Sequence, residues 1–191
     1  MSGKSLLEKY APLKQIVPSS LCFTCDVCCR FPEETSFLAP YFTDEEIRLI
    51  PGPKKKFFDS PEGSKTKLIR HPEGEGCICP HFDPKTQHCA IYDDRPLDCR
   101  IYPFALMRDE DGAVILGIDT KCPFIQEHAG DARMKRDADE VAHFLESDPI
   151  LATLAAHPLL IGPYQEDVLI VCRLEKVSQA VGPAADPRPD L

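Results

Sequence analysis

Four of the chain's ten cysteines fall within eight residues, in the segment CFTCDVCC that runs from Cys22 to Cys29. The C-x2-C spacing, which repeats at Cys25 and Cys28, lets the chain turn so that successive sulfurs face one point. Cys28 and Cys29 are neighbours, so their side chains point in different directions in any regular backbone. One mononuclear tetrahedral site does not suit both. Either two metal sites share this segment, or one multinuclear cluster is wide enough to use both sulfurs.

The other six cysteines are Cys77, Cys79, Cys89, Cys99, Cys122 and Cys172. We predict eight of the ten as metal ligands, which is enough for two four-thiolate sites. The predicted ligands are Cys22, Cys25, Cys28, Cys29, Cys79, Cys89, Cys99 and Cys122. Cys172 lies in the apolar run VLIVCRL, which indicates a buried core residue. Two alternatives stay open: Cys77 is a ligand or a spare thiol, and one of His71, His81 and His88 could replace a sulfur.

Two arginines flank the predicted ligand Cys99, and they have two interpretations. A cluster held by four thiolates carries net negative charge, and Arg95 and Arg100 could stabilise it and favour the thiolate form of its ligands. Alternatively, the two arginines form ordinary loop ion pairs with the aspartates at positions 93, 94 and 98. The sequence favours neither.

Composition narrows the classes of partner and of cysteine chemistry. No stretch of about 18 apolar residues is present, which argues against a membrane span. The first twenty residues lack the unbroken apolar core of a signal peptide, so we expect a cytoplasmic protein with reduced thiols and metal sites rather than disulfides. A net charge of −9 argues against binding to nucleic acid. A protein partner remains open.

The 19 prolines predict many short elements joined by fixed turns. We predict an α+β fold: a compact, loop-rich single domain over residues 1–180, organised around cysteine-ligated metal, with its core at 22–122 and a disordered tail at 181–191. The predicted helices are 4–17, a short one capped by Thr43 and Glu46, one through Met134 to Leu145, and one from Asp148 to about His157. A β-hairpin is predicted from Phe104 to Ile118, and a strand from Val168 to Leu174.

The segments CFTCDVCC, LAPYFTDEEIRLI and CPHFDPKTQHCAIYDDRPLDCRIYPF together resemble the CxxCxxCC cysteine-cluster family. The resemblance runs over residues 22 to about 122 and implies a zinc- or iron-chelating domain. Its first motif falls on the four clustered cysteines, and its second on Cys79, Cys89 and Cys99. Cys122-Pro123 is similar to a later Cys-Pro-Gly step, from which the chain departs because Phe124 replaces the glycine.

We therefore predict a metal-binding protein with a redox or metal-handling role, with iron–sulfur favoured over zinc. Nested C-x2-C spacing, adjacent cysteines and an all-sulfur ligand set favour iron–sulfur clusters, although four-cysteine sites are also common for zinc. The alternative is a metal-dependent protein-modifying enzyme, because flagellin lysine N-methylases carry a similar cysteine cluster. The chain shows no glycine-rich strand–loop–helix that would hold S-adenosylmethionine, so this alternative rests on analogy.

Overall fold

The computed structural model describes residues 9–183. Seven α-helices lie wholly within this range: α1 (Ser19–Cys22), α2 (Asp44–Leu49), α3 (Leu97–Ile101), α4 (Pro123–His128), α5 (Ala132–Leu145), α6 (Asp148–Ala156) and α7 (Glu175–Val181). The same range holds ten strands: β1 (Arg30–Phe31), β2 (Tyr41–Thr43), β3 (Gly63–Lys65), β4 (Ile69–Arg70), β5 (Cys77–Ile78), β6 (Phe82–Asp83), β7 (His88–Cys89), β8 (Phe104–Arg108), β9 (Val114–Asp119) and β10 (Val168–Arg173). The predicted α+β class with short helices and small sheets is confirmed.

The largest sheet has the order β10-β9-β8 and is antiparallel throughout. The predicted hairpin supplies β8 and the central strand β9, with Leu106 opposite Leu116. Its turn is closed by Asp109, whose carboxylate accepts a hydrogen bond from the backbone N–H of Ala113 at 2.9 Å, and by Gly112 at φ +81°. A positive φ is accessible to glycine without steric cost, so the turn at Asp111-Gly112 follows β8 where the sequence pattern predicts it.

The main hydrophobic core packs against this sheet. The helical spacing of Met134, Ala138, Val141 and Leu145 puts all four on the buried face of α5, as predicted. Helix α6 begins at Asp148-Pro149, as predicted, because proline has a helix-compatible φ and needs no N–H partner in the first turn. Sheet and helices bury their apolar side chains together in one cluster.

Residues 22–99 form the cysteine-bearing part of the chain. This part has only small sheets, ordered β1-β5-β4, β2-β3 and β6-β7. Helix α2 begins with the predicted capping box: Thr43 accepts from the backbone N–H of Glu46, and the Glu46 carboxylate accepts from that of Thr43. The helix ends before Pro51, which cannot continue it. The short strands make few ladder bonds, so the cysteine-bearing part contains little regular structure.

Three sequence predictions need correction or fall outside the described range. The helix predicted over 4–17 ends at Tyr10, because Pro12 disfavours helical geometry in the residue before it; positions 4–8 lie outside the described residues. The segment 51–64, predicted as a loop, contains a 3-10 helix at Gly52–Phe57 and the start of β3. Val181, at the start of the predicted tail, ends α7, and positions 184–191 lie outside the described residues.

None of the helices in the described part of the chain is long and apolar enough to cross a membrane.

Candidate metal centre

The first cysteine segment turns twice within eight residues. Helix α1 brings Cys22 round, with its backbone N–H bonded to the carbonyl of Pro18 at 3.2 Å. A 3-10 turn at Val27–Cys29 follows, in which the N–H of Cys29 donates to the carbonyl of Asp26 at 2.8 Å. The thiols of the two adjacent cysteines interact with each other on this turn, so they do not diverge as the adjacency predicts.

A direct backbone contact joins this segment to the second set of cysteines. The N–H of Cys79 donates to the carbonyl of Cys29 at 3.0 Å, next to the pairing of β1 with β5. Cys89 lies on the β6–β7 hairpin, opposite Phe82. The antiparallel pairing therefore brings cysteines fifty to sixty residues apart in sequence into one region.

Nearby backbone N–H groups lower the pKa of three predicted ligand thiols, against the larger, opposite effect of burial. For Cys79 the group is the N–H of His81, and for Cys89 that of Ile91, in each case two residues further on. For Cys122 the groups lie in the first turn of α4. Donors aimed at a sulfur stabilise its thiolate form, so the local chain is suited to metal ligation.

All eight predicted ligands line one cavity of about 1030 Å³. The cavity walls do not include the other two cysteines. Cys77 is buried in β5 opposite Phe31, and Cys172 lies on β10 with Glu146 and Asp139 as its charged neighbours. The structure therefore gathers the eight cysteines into one space, while Cys77 lies outside it.

Burial and one arginine act in opposite directions on these thiols. Burial raises the pKa of Cys22, Cys89 and Cys122, and raises that of Cys79 to about 12. The positive charge of Arg95 lowers the pKa of Cys22 and Cys89 and so opposes the burial. In the metal-free chain burial favours the neutral thiol, so binding of a cation releases protons.

Cys28 lies at the centre of the group. A hydrogen bond between the two adjacent thiols lowers the pKa of Cys28 and raises that of Cys29. Burial raises the pKa of both Cys22 and Cys99, which belong to different parts of the chain, and the charge of Cys28 acts in the same direction on each. Cys28 is exposed and lies on the wall of the cavity.

The donor set is chemically suited to iron or zinc, since it consists of sulfur ligands beside cationic groups. Within residues 9–183, no three side chains of the His, Cys, Asp and Glu types are already close enough together to hold a metal ion. The thiols thus share one space without meeting at one point, and ligation requires their side chains to rotate inward.

The two arginines do not form the loop ion pairs that one interpretation predicted. Among residues 9–183, neither guanidinium lies within ion-pair distance of an aspartate. Arg95 stacks on Tyr92 at 3.8 Å and donates to its carbonyl, while Arg100 donates to the carbonyls of Arg95 and Asp93. Both line the cavity. The charge of Arg95 therefore has no carboxylate partner within ion-pair distance in the described chain, which favours the interpretation that it faces anionic sulfur, whereas the charges of Glu46 and Asp94 act on Arg100.

Of the three candidate histidines, only His81 lies on the cavity wall. Its side chain is buried between Phe42 and Phe58, and neither ring nitrogen has a hydrogen-bond partner. Burial lowers its pKa to about 4, so the ring is neutral. His88 instead packs on Phe23, with ring centroids 4.5 Å apart.

Sequence reasoning missed three further residues. Tyr102 belongs to the CRIYPF string, but nothing in that string indicated a role for it. It lines the cavity, and its buried hydroxyl has no hydrogen-bond partner. Burial, followed by the charge of Asp119, raises its pKa. Asp98 also lines the cavity. Glu46 was recognised only as half of a capping box, and its contacts with distant residues had no signal in the sequence.

Comparison with known families gives one match. A family model named CxxCxxCC, described as "Putative zinc- or iron-chelating domain", matches residues 21–129. Comparisons with curated proteins and with solved structures find no match. The matched segment spans more than half of the chain and contains all eight cysteines on the cavity wall.

Proposed function

The chain belongs to the CxxCxxCC family of zinc- or iron-chelating domains, and we propose that it holds iron–sulfur centres, in preference to zinc, through eight cysteines. The ligands in this proposal are Cys22, Cys25, Cys28, Cys29, Cys79, Cys89, Cys99 and Cys122. Metal binding as such follows from the family. The choice of metal and the assignment of ligands are argued from the cavity.

One observation carries the proposal: these eight thiols line a single cavity, and the two remaining cysteines lie elsewhere. A group of thiols this dense is costly to keep in a cell without a purpose, because exposed thiols oxidise. All ten cysteines are free, which also agrees with reduced thiols in the cytoplasm. The donor count supports two four-thiolate centres.

The position of Cys28 favours iron–sulfur over zinc. Its thiol contacts that of Cys29, and its charge is felt on both sides of the group. A mononuclear zinc site holds four sulfurs about 2.3 Å from one ion. The charge of Cys28 acts on six other thiols, more than one such ion can take. A multinuclear cluster presents several metal atoms to the same wall, and Arg95 supplies a positive charge that suits its net negative one.

Purification without oxygen, followed by absorption spectroscopy and metal analysis of the same sample, tests the proposal. We expect a brown protein with broad visible absorption and matching amounts of iron and acid-labile sulfide. A colourless protein with stoichiometric zinc and no sulfide would overturn the preference for iron while leaving the thiol ligands in place. A protein without metal under these conditions would overturn the whole proposal.

The size of the cavity favours one second candidate, a protein-modifying enzyme. A volume of about 1030 Å³ is that of a small-molecule site rather than of a single ion. Equilibrium dialysis of S-adenosylmethionine against anaerobically purified protein separates the two functions. Binding at micromolar concentration would favour methyl transfer, and no binding at millimolar concentration would remove it. A redox or metal-handling role would instead require a protein partner at the cavity mouth.

A further inference from the structure

Glu46 is almost completely buried, with 1% of its surface exposed, yet it lies outside the cavity wall. Its carboxylate accepts three hydrogen bonds from three parts of the chain. The donors are the Tyr10 hydroxyl at 2.7 Å, the backbone N–H of Leu97 at 2.8 Å and the backbone N–H of Thr43 at 2.7 Å. Buried carboxylates are stable only when their oxygens are satisfied in this way.

A helix cap explains only one of these bonds. The capping box requires the exchange between Thr43 and Glu46, and an exposed glutamate would serve it equally well. The bond to Leu97 reaches 51 positions along the chain, to the first residue of α3. Helix α3 carries Cys99, two positions further on. The carboxylate of Glu46 therefore joins the start of one helix to the helix that presents a proposed metal ligand.

The two sequence neighbours of Cys99 are anchored by side-chain hydrogen bonds to distant or neighbouring backbone. The carboxylate of Asp98 accepts from the backbone N–H of Tyr41 at 2.9 Å, which ties α3 to β2. The guanidinium of Arg100 donates to the carbonyl of Arg95 at 2.7 Å. Helix α3 has only five residues and no side-chain cap, so its own backbone bonds cannot fix its orientation.

We propose that Glu46 is a positioning residue for the metal centre, which acts by holding α3 so that Cys99 faces the other thiols. The inference rests on the proposed function, because it takes Cys99 as a ligand. Glu46 itself does not touch the metal. Groups that orient a ligand in this way typically change metal retention by about 10- to 100-fold when removed.

The test compares Glu46→Gln, Cys99→Ser and the double variant, with Glu45→Gln as the matched control. Glutamine keeps the size of the side chain but places an NH₂ donor at one of the two oxygen positions. This donor then faces either the N–H of Thr43 or the hydroxyl of Tyr10 together with the N–H of Leu97. Glu45 is the adjacent glutamate, exposed on the same helix and paired with Lys9. In anaerobically purified protein, the readouts are the native metal per chain, its thiolate-to-metal absorption, and the rate of metal loss to excess EDTA.

We expect Glu46→Gln to lose metal at least about tenfold faster than the parent protein and to approach the absorption spectrum of Cys99→Ser. Added to Cys99→Ser, the same substitution should change the rate by no more than about twofold, because a residue that acts through Cys99 has nothing left to position. Glu45→Gln should behave as the parent protein.

The outcomes distinguish the failure of this inference from that of the proposed function. Equal, additive effects of Glu46→Gln in both backgrounds would show that Glu46 supports only overall stability. A Cys99→Ser variant with unchanged metal would instead remove Cys99 from the ligand set, and this inference with it. If Glu46→Gln does not fold, Tyr10→Phe removes a single donor, and it should give a smaller loss with the same dependence on Cys99.

Discussion

Residues 104–181 are stabilised differently from the cysteine-bearing part before them, residues 22–99, which holds seven of the eight proposed ligands. The main core cluster contains 25 buried residues in the described chain, most of them from 104–177. The clusters around the second cysteine set and around α2 contain only seven and four. Apolar burial can stabilise the first region at roughly 25 cal/mol per Å². The second region needs another source of stability, and the family and the thiols indicate a bound metal.

Metal removal should have the largest effect and should act on the two regions differently. Where a metal organises a fold, its binding free energy of about 10 kcal/mol is also folding free energy. We expect chelation under reducing conditions to expose the amides of 22–31 and 77–99 to hydrogen exchange, while those of β9 and α5 stay protected. Uniform loss of protection, or none, would show that the two regions do not depend on metal differently.

The reverse experiment is to damage the apolar core. Leu116 is fully buried at the centre of β9, and Leu116→Ala should lower the free energy of unfolding by about 2–5 kcal/mol. Below the unfolding transition, its metal content per chain should equal that of the parent protein. Leu169→Ala, on the exposed face of β10, is the control and should change stability by less than about 0.5 kcal/mol. Denaturant titration and metal analysis give both values.

The adjacent cysteines sharpen the comparison within the metal region. We expect Cys28→Ala and Cys29→Ala each to lose metal, and to leave different residual spectra, because each thiol serves a different centre or a different atom of one cluster. Cys172→Ala is the control, and it should keep all of its metal, since Cys172 lies outside the cavity. One silent variant among the first two would mean that only one of the adjacent sulfurs is a ligand.

The smallest predicted effect concerns His81. An imidazole with two buried, unpartnered nitrogens lowers stability, so His81→Phe should raise the free energy of unfolding of the metal-loaded protein by about 1–3 kcal/mol. His128→Gln, at an exposed histidine paired with Asp131, should have almost no effect. A destabilised His81→Phe variant would show that the ring has a polar partner, such as a bound water. Thermal melts of the reduced, metal-loaded variants and parent protein measure the difference.

Elements defined by local chemistry could be predicted from the sequence. The capping box of α2, the Asp-Gly turn between β8 and β9, and the apolar stripe of α5 each depend on residues within a few positions of one another. The prediction of a helix over 4–17 is wrong after Tyr10 for an equally local reason: Pro12 disfavours helical geometry at Ala11, despite the apolar residues at helical spacing on either side.

The arrangement of the site depended on long-range pairing, and there the sequence carried less information. Spacing and family resemblance predicted the eight cysteines that line the cavity, but not the hydrogen bond from the N–H of Cys79 to the carbonyl of Cys29. Nothing local distinguished His81, on the cavity wall, from His88, which packs on Phe23. The single-domain boundary at residue 180 stays a prediction.

The exposure of Cys28 on the cavity wall has a kinetic consequence. An ion, or a small thiol that carries one, can reach this residue without separating any strands. Reloading then does not require the apolar part to unfold, so the centre can be rebuilt after oxidative damage without turnover of the polypeptide. The same exposure admits dioxygen, so the lifetime of the centre in air depends on how quickly dioxygen reaches it.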